Sequence, residues 1–328
     1  MNRHGIIVTP TEKMGATFNP AATCHHDGRF LLLVRSVPKG YKKIGAVNQF
    51  DDAYSSQLSL WEGNSPVTFV LVNLEALMPG KDFDRFGIED PRITQIGDTY
   101  YICYTALAIG LAQENADDGI RIAMASTKDF KIFKKHGVIG PDRRSKAGAL
   151  FKSAGKLYFM WKDEASAERT MISPAPDDFE SPEAWKKLWA SRSIEKDKII
   201  VAQNNGYEDR GVEPGAPPIE INEGLLVVYS SISYDYKWTI SVMLLDKNDP
   251  SKILAKTEAP LLKPKKAYEL KGDVNNVVFP CGALIDKLRL YVYYGAADTV
   301  CAVASENMTK IMKSLKPFQN NPVLRNAA

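Results

Sequence analysis

One strand-like phrase occurs five times along this chain of 328 residues. Each copy begins with a turn residue or a lone charge and continues as a run of β-branched, aromatic or leucine residues. It ends in small or polar residues, as buried central strands do. The copies occupy residues 28–36, 98–106, 155–163, 224–232 and 287–295. This regular recurrence indicates that one small sheet was built five times.

The sequence around each phrase recurs as well. A short segment containing Pro or Gly precedes the turn, at residues 18–22, 89–93, 146–150, 213–218 and 279–283. A further strand follows, at residues 56–60, 120–125, 169–173, 238–244 and 300–304. Three or four antiparallel strands per unit, repeated five times, predict an all-β fold, a five-bladed β-propeller in a single domain over 1–328. Only residues 182–189 are expected to form a short turn or helix.

Composition excludes several function classes. The 42 basic and 39 acidic residues are spread along the chain, so no basic stripe indicates a nucleic-acid partner. No apolar stretch approaches the roughly 20 residues of a membrane helix, and the N-terminal apolar run is too short for a secretory signal. We therefore expect a soluble, cytoplasmic protein with neither nucleic acid nor membrane as partner.

Metal and cofactor signatures are missing from the sequence. Four cysteines are scattered without CxxC spacing, which favours buried free thiols over a metal site. There is no Gly-rich phosphate loop, no HExxH and no G-x-S-x-G phrase. We expect no metal and no cofactor, so carboxylates are the natural candidates for catalysis.

The place of these carboxylates follows from the predicted fold. In a propeller the first strand of each blade lines the central channel, so the five Pro- or Gly-containing segments are expected to converge on one axis. Loops over 40–86 and 107–119 are expected to cover the mouth of the channel.

The first candidate is Asp90, which precedes a proline in a channel-lining segment. Pro91 is expected to hold Asp90 in an extended conformation. Because side chains alternate along a strand, only one of Glu89 and Asp90 is expected to face the axis. The structural alternative is that either acid forms an ion pair with Arg92 or Arg85.

Two further acids are candidates. Glu213 precedes a proline at the same blade position as Asp90, and Glu269 lies just upstream of Asn275 and Asn276. Acids from different blades that meet at one axis suit a glycosidase, in which one acid protonates the leaving oxygen and another activates water. Aromatic residues near these loops could stack on sugar rings or belong to the core: Tyr54, Tyr104, Tyr207 and Trp238.

Several longer phrases carry a family resemblance: GIEDPRI at 87–93, GAPPI at 215–219, GLLVVY at 224–229, Tyr268-Glu269 with GDVNNVVFPCG at 272–282, and YYGAAD at 293–298. In these phrases, which span four blades in the same order, the chain resembles glycoside hydrolase family 130, five-bladed propellers that act on β-mannosides. The resemblance implies that Asp90 is the general acid, acting through a sugar hydroxyl with inversion, and that Asp298 lies near the sugar. Residues expected to bind substrate are Arg35, Glu89, Arg92, Tyr104, Lys162, Arg210, Tyr229, Asn276 and Asp298.

The family contains phosphorylases and hydrolases, and the nucleophile distinguishes them. Phosphate must be held by cations or strong donors, whereas water needs a carboxylate base. The phosphorylases carry a Tyr-His-Gly after the fourth core strand, where this chain has Tyr229-Ser-Ser. The phosphorylases also carry a Lys shortly before the Gly-Pro-Pro segment, where this chain has Arg210-Gly-Val-Glu213, and Glu213 stands where a Gly is usual. Lys162 stands about where they place an Arg.

These differences predict an inverting β-mannosidase that hydrolyses β-linked manno-oligosaccharides, with Asp90 as acid and Glu213 or Glu269 as base. The alternatives are a β-mannoside phosphorylase, which would use inorganic phosphate and release mannose 1-phosphate, and a propeller that binds carbohydrate without catalysis. The linkage cleaved and the formation of a homo-oligomer are left open.

Overall fold

Five small antiparallel sheets form the blades of a propeller in the computed structural model, which confirms the predicted all-β, five-bladed architecture. The structure describes residues 1–45, 49–112, 119–164, 169–201 and 205–318. None of the helices in these ranges has the length and hydropathy needed to span a bilayer.

The strands are distributed over the blades as follows. The first strand of the chain, β1 (Asn2–Val8), belongs to blade 5. Blade 1 contains β2 (Met14–Cys24), β3 (Phe30–Pro38), β4 (Gln57–Ser65) and β5 (Thr68–Leu77). Blade 2 contains β6 (Gly87–Ile96), β7 (Thr99–Leu107), β8 (Ile120–Thr127) and β9 (Lys134–Val138). Blade 3 contains β10 (Ser145–Ser153), β11 (Lys156–Asp163), β12 (Arg169–Pro174) and β13 (Lys198–Val201).

The last two blades are less regular. Blade 4 contains β14 (Gly211–Pro214), β15 (Ile219–Ile221), β16 (Gly224–Ile232), β17 (Trp238–Leu245), β18 (Ile253–Thr257) and β22 (Leu315–Pro317). Blade 5 contains β19 (Val278–Asp286), β20 (Arg289–Ala296), β21 (Val300–Asn307) and β1. The helical segments are α1 (Pro182–Ser191), a 3-10 turn (Ile194–Asp197), α2 (Ala267–Leu270) and α3 (Met308–Ser314).

The five repeated phrases form the second strand of each blade, and these strands are buried on both sides. Apolar side chains from neighbouring blades meet in clusters, such as Leu33 with Ile102 between blades 1 and 2, and Leu226 with Val292 between blades 4 and 5. Because both faces are covered, these strands are continuous apolar runs instead of alternating ones.

The helix predicted near 182–189 is confirmed as α1. Pro182 occupies its first turn, and the Ser181 side chain accepts a hydrogen bond from the backbone N–H of Ala184, which caps the helix. Trp185 is the buried residue of this helix and packs against Phe159 of blade 3.

The expectation of a lid over 40–86 was wrong for much of that stretch. Strands β4 and β5 occupy residues 57–65 and 68–77 and complete blade 1 as an ordinary hairpin. Residues 39–45 and 49–56 remain outside the blade strands. Of the second predicted lid, 107–119, residues 113–118 lie outside the described residues.

The N-terminal strand closes the ring of blades. β1 pairs with β21 as the outermost strand of blade 5, with Asn2 opposite Ser305. Arg3 extends from this strand to the buried carboxylate of Glu269, with an Nε–Oε1 distance of 2.7 Å. Glu269 also accepts hydrogen bonds from Tyr294 Oη and from the backbone N–H groups of Lys265 and Lys266.

We expect Arg3→Ala to lower the free energy of unfolding by about 1–3 kcal/mol, because it leaves the buried Glu269 carboxylate without its counter-ion. Urea unfolding followed by tryptophan fluorescence measures this. The control is Lys310→Ala, which removes an exposed ion pair with Glu306 and should change stability by less than about 0.5 kcal/mol. Equal effects of the two substitutions would contradict a role for Arg3 in ring closure.

Candidate active site

The innermost strands of four blades share one irregularity near the channel. The pairing register shifts between Phe18 and Pro20, Glu89 and Arg92, Lys146 and Ala149, and Pro280 and Gly282. Three residues at these bulges have positive φ angles: Asn19 (52°), Asp90 (49°) and Ala147 (55°). A β-bulge redirects side chains out of the regular alternation, so the bulges aim polar groups into the channel.

The bulge in β6 corrects two expectations about Asp90. Asp90 is in the left-handed region and not extended, although it precedes Pro91, since the bulge sets its backbone and an aspartate tolerates this region better than most residues. Glu89 and Asp90 both line the cavity, because the bulge breaks strand alternation between them.

A cavity of about 260 Å³ opens at the channel, and every blade contributes to its wall. Its polar and charged lining consists of Asn19, Arg35, Glu89, Asp90, Lys146, Lys162, Glu164, Arg210, Glu213 and Asp298. Its less polar wall consists of Leu111, Ile232, Tyr236, Trp238, Val274, Val277 and Phe279. Among the described residues, no three His, Cys, Asp or Glu side chains are arranged to hold a metal ion.

Arg35 organises one part of this cavity. Its buried guanidinium forms ion pairs with Glu89 and with Asp90, the latter at 3.0 Å between Nη1 and Oδ1. The same Asp90 oxygen accepts a hydrogen bond from Asn19 Nδ2 at 2.7 Å. Arg35 also donates to Tyr54 Oη and lies 4.4 Å from the centroid of the Phe18 ring. The partner of Glu89 and Asp90 is therefore Arg35 and not Arg92 or Arg85.

The acids around Arg35 differ in proton affinity. Burial raises the pKa of Asp90, but Arg35, Arg92 and the Asn19 amide outweigh burial and leave this pKa below its usual value. Burial raises the pKa of Glu89, with Asp90 adding to the effect and Arg35 opposing it. Burial raises the pKa of Asp298 to about 7, and the nearby charges of Asp90 and Glu89 contribute to that rise.

A second charged group, centred on the buried Lys162, lines the same cavity. Lys162 Nζ lies 3.6 Å from Glu213 Oε2 and 3.8 Å from Glu164 Oε1. Burial raises the pKa of Glu213, with Glu164 adding to the rise and Lys162 opposing it. For Glu164, the charges of Lys146 and Lys162 more than offset burial, so its pKa is lowered.

Arg92 supports the site without lining the cavity. Its guanidinium is 1% exposed and donates to three backbone carbonyl oxygens, those of Asp90, Pro214 and Gly215, at 2.7–2.8 Å. Arg92 thereby ties the Asp90 bulge in blade 2 to the segment of blade 4 that carries Glu213. Arg92 was expected to bind substrate, but the cavity lining does not include it, and these three hydrogen bonds direct its guanidinium to the backbone.

The family model described as β-1,4-mannooligosaccharide phosphorylase matches residues 2–317. The chain belongs to glycoside hydrolase family 130. A β-1,2-mannobiose phosphorylase from Listeria innocua is 30% identical over 253 residues, which cover 76% of this chain and 65% of that protein, just under two thirds of its length. A 1,2-β-oligomannan phosphorylase from a Thermoanaerobacter species is 29% identical over 299 residues, covering 90% and 91% of the two chains.

Solved structures show the same fold. The Listeria innocua β-1,2-mannobiose phosphorylase in complex with β-1,2-mannobiose has a TM-score of 0.78 at 24% identity, covering 95% of this chain and 98% of that chain. A second structure comes from work stating that family 130 contains hydrolases that target β-1,2-mannosidic linkages in Candida mannan. It has a TM-score of 0.74 at 21% identity, covering 98% and 96% of the chains.

The structure brings together seven of the twelve residues that the sequence proposed for this family 130 site. These seven line the cavity: Arg35, Glu89, Asp90, Lys162, Arg210, Glu213 and Asp298. The other five are absent from its lining: Arg92, Tyr104, Tyr229, Glu269 and Asn276. Asn276 lines a neighbouring cavity.

Three of those five residues are held elsewhere by their own partners. Tyr104 Oη donates to Asp84 at 3.1 Å, and Tyr229 Oη donates to Glu208 at 2.9 Å. Glu269, one of two candidate bases, has its carboxylate engaged by Arg3 and neighbouring donors in the ring closure. Because Glu269 lies outside the cavity lining, Glu213 is the one of the two candidate bases that faces the cavity.

Sequence reasoning missed Asn19, Lys146 and Glu164, which also line the cavity. A signal for two of them was present. Asn19 and Lys146 lie in the Pro- or Gly-containing segments of blades 1 and 3, at or beside the bulge that corresponds to the one at Asp90. Glu164 directly follows β11 and carried no comparable signal.

Asp298→Asn tests the electrostatics of the cavity. Below about pH 4, Asp298 is protonated in the folded and unfolded states, so its ionisation has no effect on wild-type stability. As pH rises from about 4 to 7, the unfolded state releases this proton first. Wild-type stability should therefore fall relative to Asp298→Asn by up to about 4 kcal/mol. Urea unfolding of both proteins at pH 4 and pH 8 measures the change. A wild-type–variant difference that is equal at both pH values would refute the raised pKa.

Proposed function

We propose that this protein is a β-mannoside phosphorylase, which cleaves the terminal β-mannosidic bond of a manno-oligosaccharide with inorganic phosphate and releases mannose 1-phosphate. The observation that carries the proposal is that three cationic side chains, Lys146, Lys162 and Arg210, line the same cavity as Asp90. The curated relatives described above are β-mannoside phosphorylases, which favours phosphorolysis over the hydrolysis that the sequence had favoured.

Two carboxyl groups beside Lys162 oppose the binding of phosphate, because an ionised carboxylate repels an anion. Glu164 and Glu213 both approach Lys162, and an ionised Glu213 would repel phosphate. Because burial raises the pKa of Glu213, its carboxyl group can bind a phosphate oxygen as a protonated donor. Lys146, Lys162 and Arg210 then outnumber the one remaining negative charge of Glu164, and charge-assisted hydrogen bonds hold the anion.

Asp90 is the proposed general acid for the leaving sugar, with inversion at the anomeric carbon. Arg35 and Asn19 fix its carboxylate, and Arg92 fixes its backbone. In the cavity without substrate, Asp298 is the better proton holder, since its pKa is about 7 and that of Asp90 is lowered. The charge of Arg35 acts on both acids and the charge of Asp90 raises the pKa of Asp298, so the two carboxyl groups titrate together and not independently.

Hydrolysis is the second candidate function. The position of Glu213 favours it. Glu213 is a buried carboxyl group in the same cavity as Asp90, and an ionised Glu213 could remove a proton from an attacking water. The two candidates thus require opposite protonation states of the same residue.

The direct test is turnover of β-1,2- and β-1,4-linked mannobiose with and without inorganic phosphate. The proposal predicts mannose 1-phosphate as product, with turnover that depends on phosphate concentration. Product identification by ³¹P NMR and ion chromatography measures this. Free mannose formed at the same rate without phosphate would reject phosphorolysis in favour of hydrolysis. Asp90→Asn should lower turnover by about 10²–10⁴-fold with the fold retained, and it serves as the inactive control.

Glu213→Gln separates the two candidates through one residue. In a phosphorylase the neutral Gln side chain offers an N–H donor in place of the O–H of the protonated carboxyl group, so kcat should stay within about tenfold and the KM for phosphate should stay equal or fall. In a hydrolase the loss of the base should lower kcat by about 10²–10⁴-fold. Steady-state kinetics against phosphate concentration measures both quantities. A collapse of phosphate-dependent turnover in Glu213→Gln would contradict the binding of phosphate by a protonated Glu213.

A further inference from the structure

Tyr54 is a buried neighbour of the acids in the cavity. From the sequence it could stack on a sugar ring or belong to the core, and in the structure it is 2% exposed and absent from the cavity lining. Its hydroxyl accepts a hydrogen bond from Arg35 Nη2 and donates to Glu89 Oε1 at 3.3 Å. Burial raises the pKa of Tyr54, so the hydroxyl stays protonated at neutral pH and can donate. Tyr54 therefore contacts two residues of the polar wall without facing the cavity itself.

The Arg35 guanidinium is divided between two acids. Its Nη1 lies 3.0 Å from Asp90 Oδ1, and its Nη2 pairs with Glu89 Oε1. An arginine and one carboxylate commonly form a bidentate pair with two parallel N–H···O bonds. Here each acid meets a different nitrogen of Arg35 instead. Nη2 has two N–H donors and two acceptors, Glu89 Oε1 and Tyr54 Oη.

Aromatic packing fixes the position of the Tyr54 hydroxyl. The Tyr54 ring stacks on Phe50 with centroids 4.6 Å apart at 24°, and the Tyr41 ring meets it edge-on at 5.4 Å. The Arg35 guanidinium lies 4.4 Å from the centroid of the Phe18 ring and 5.7 Å from that of Tyr54. Close-packed rings cannot shift without opening a void. The hydroxyl is therefore held by residues that do not line the cavity.

The backbone near Tyr54 is tied to the strand that carries both acids. Tyr54 N donates to Asp51 O at 3.0 Å, and Ser56 O, two residues further on, accepts from Ile88 N at 2.9 Å. Ile88 directly precedes Glu89 in β6. Tyr54 and Glu89 are thus linked through the backbone as well as through their side chains.

We propose that Tyr54 is a positioning residue that keeps Arg35 divided between Glu89 and Asp90. Its hydroxyl engages Nη2 and so prevents a bidentate pair of Arg35 with Glu89, which leaves Nη1 on Asp90. The inference rests on the proposed function through the role of Asp90 as general acid. When Asp90 gives up its proton, negative charge develops on its carboxylate. Arg35 stabilises that charge only while it remains in contact.

The test is Tyr54→Phe, which keeps the ring and removes the hydroxyl. We expect kcat to fall about 10- to 100-fold, because the charge that develops on Asp90 loses its contact with Arg35. The KM for phosphate should stay within about twofold, since the proposed phosphate cations are grouped around Lys162 and not around Arg35. Steady-state kinetics on β-1,2- and β-1,4-mannobiose over a range of phosphate concentrations measures both quantities. An unchanged kcat would overturn the inference.

The matched control is Tyr101→Phe. Tyr101 is also buried, and its hydroxyl donates to a carboxylate, that of Glu180, at 2.6 Å. Neither residue lines the cavity that holds Asp90. This control should change kcat by less than about twofold, and the circular dichroism of both variants should match wild type. An equal loss of kcat in the two variants would show that any buried tyrosine hydroxyl has this effect, and it would overturn the positioning role.

A double variant separates positioning from a general structural effect. If Tyr54 acts through Asp90, Tyr54→Phe should lower the residual turnover of Asp90→Asn by less than about twofold. A purely structural role would lower the residual turnover by the same factor as in wild type, which would overturn the inference. Should Tyr54→Phe fail to fold, Phe50→Leu is the second variant, because it loosens the stacked ring beside Tyr54. It should lower kcat with the KM for phosphate unchanged, and an unchanged kcat overturns the inference.

A crystal structure of Tyr54→Phe gives a readout that does not depend on turnover. Arg35 should form a bidentate pair with Glu89, and its Nη1 should leave Asp90. An Nη1–Oδ1 contact that stays near 3.0 Å overturns the positioning role while the phosphorylase stands. Wild-type turnover that is independent of phosphate overturns the proposed phosphorolysis, whereas a bidentate Arg35–Glu89 pair in the variant still supports the inference.

Discussion

The buried guanidinium of Arg92 fixes the geometry of the site. Blades of a propeller pack mainly against their neighbours, yet Arg92 of blade 2 donates to the Pro214 and Gly215 carbonyls of blade 4 across the channel. A buried charge without partners is strongly unfavourable, and the three carbonyl acceptors of Arg92 offset that cost. The positive charge also lowers the pKa of Asp90 and opposes the rise in the pKa of Glu213. Arg92 thus fixes the backbone beside both Asp90 and Glu213, and its charge acts on the pKa of both acids.

The β-bulges determine which side chains reach the channel. Regular strands would present alternate residues, and Glu89 and Asp90 would then point to opposite faces. The bulge in β6 brings both to Arg35, and the corresponding bulge in β2 brings Asn19 to Asp90. The same irregularity, repeated in different sequence contexts, thus places four of the ten polar residues of the cavity wall: Asn19, Glu89, Asp90 and Lys146.

Much of the fold could be predicted because its information is local and repeated. Each blade carries its own second strand. The apolar side chains of a strand such as β16 point to both faces of the sheet, so they can be buried only between two other blades. The pairing of β1 with β21 could not be predicted, since the contact of Asn2 with Ser305 joins residues about 300 positions apart and no turn signal links them. The helix α1 was predictable from Pro182 and its capping serine, which act within one turn.

The site was predictable only as far as it follows the repeat. Asp90 and Glu213 were found because both precede a proline in corresponding segments, and both face the cavity. Glu269 failed as a cavity residue because its partner Arg3 is distant in sequence, and its burial with that arginine depends on ring closure. The left-handed conformation of Asp90 was missed because the rule for residues before proline describes local sterics, whereas the bulge is imposed by the pairing of β6 with β7.

Pairing of the first strand with the last blade has a consequence for biosynthesis. On the ribosome β1 is made first, but its partner β21 emerges only after some 290 further residues. Blades 1 to 3, and blade 4 without its edge strand β22, can therefore pack against one another while blade 5 is still incomplete and the ring is open. Asp298 and Phe279 come from that last blade, so the cavity acquires its final wall only when blade 5 has been made and has packed into the ring. A nascent chain that has not yet produced blade 5 therefore lacks two residues that line the cavity, Phe279 and Asp298.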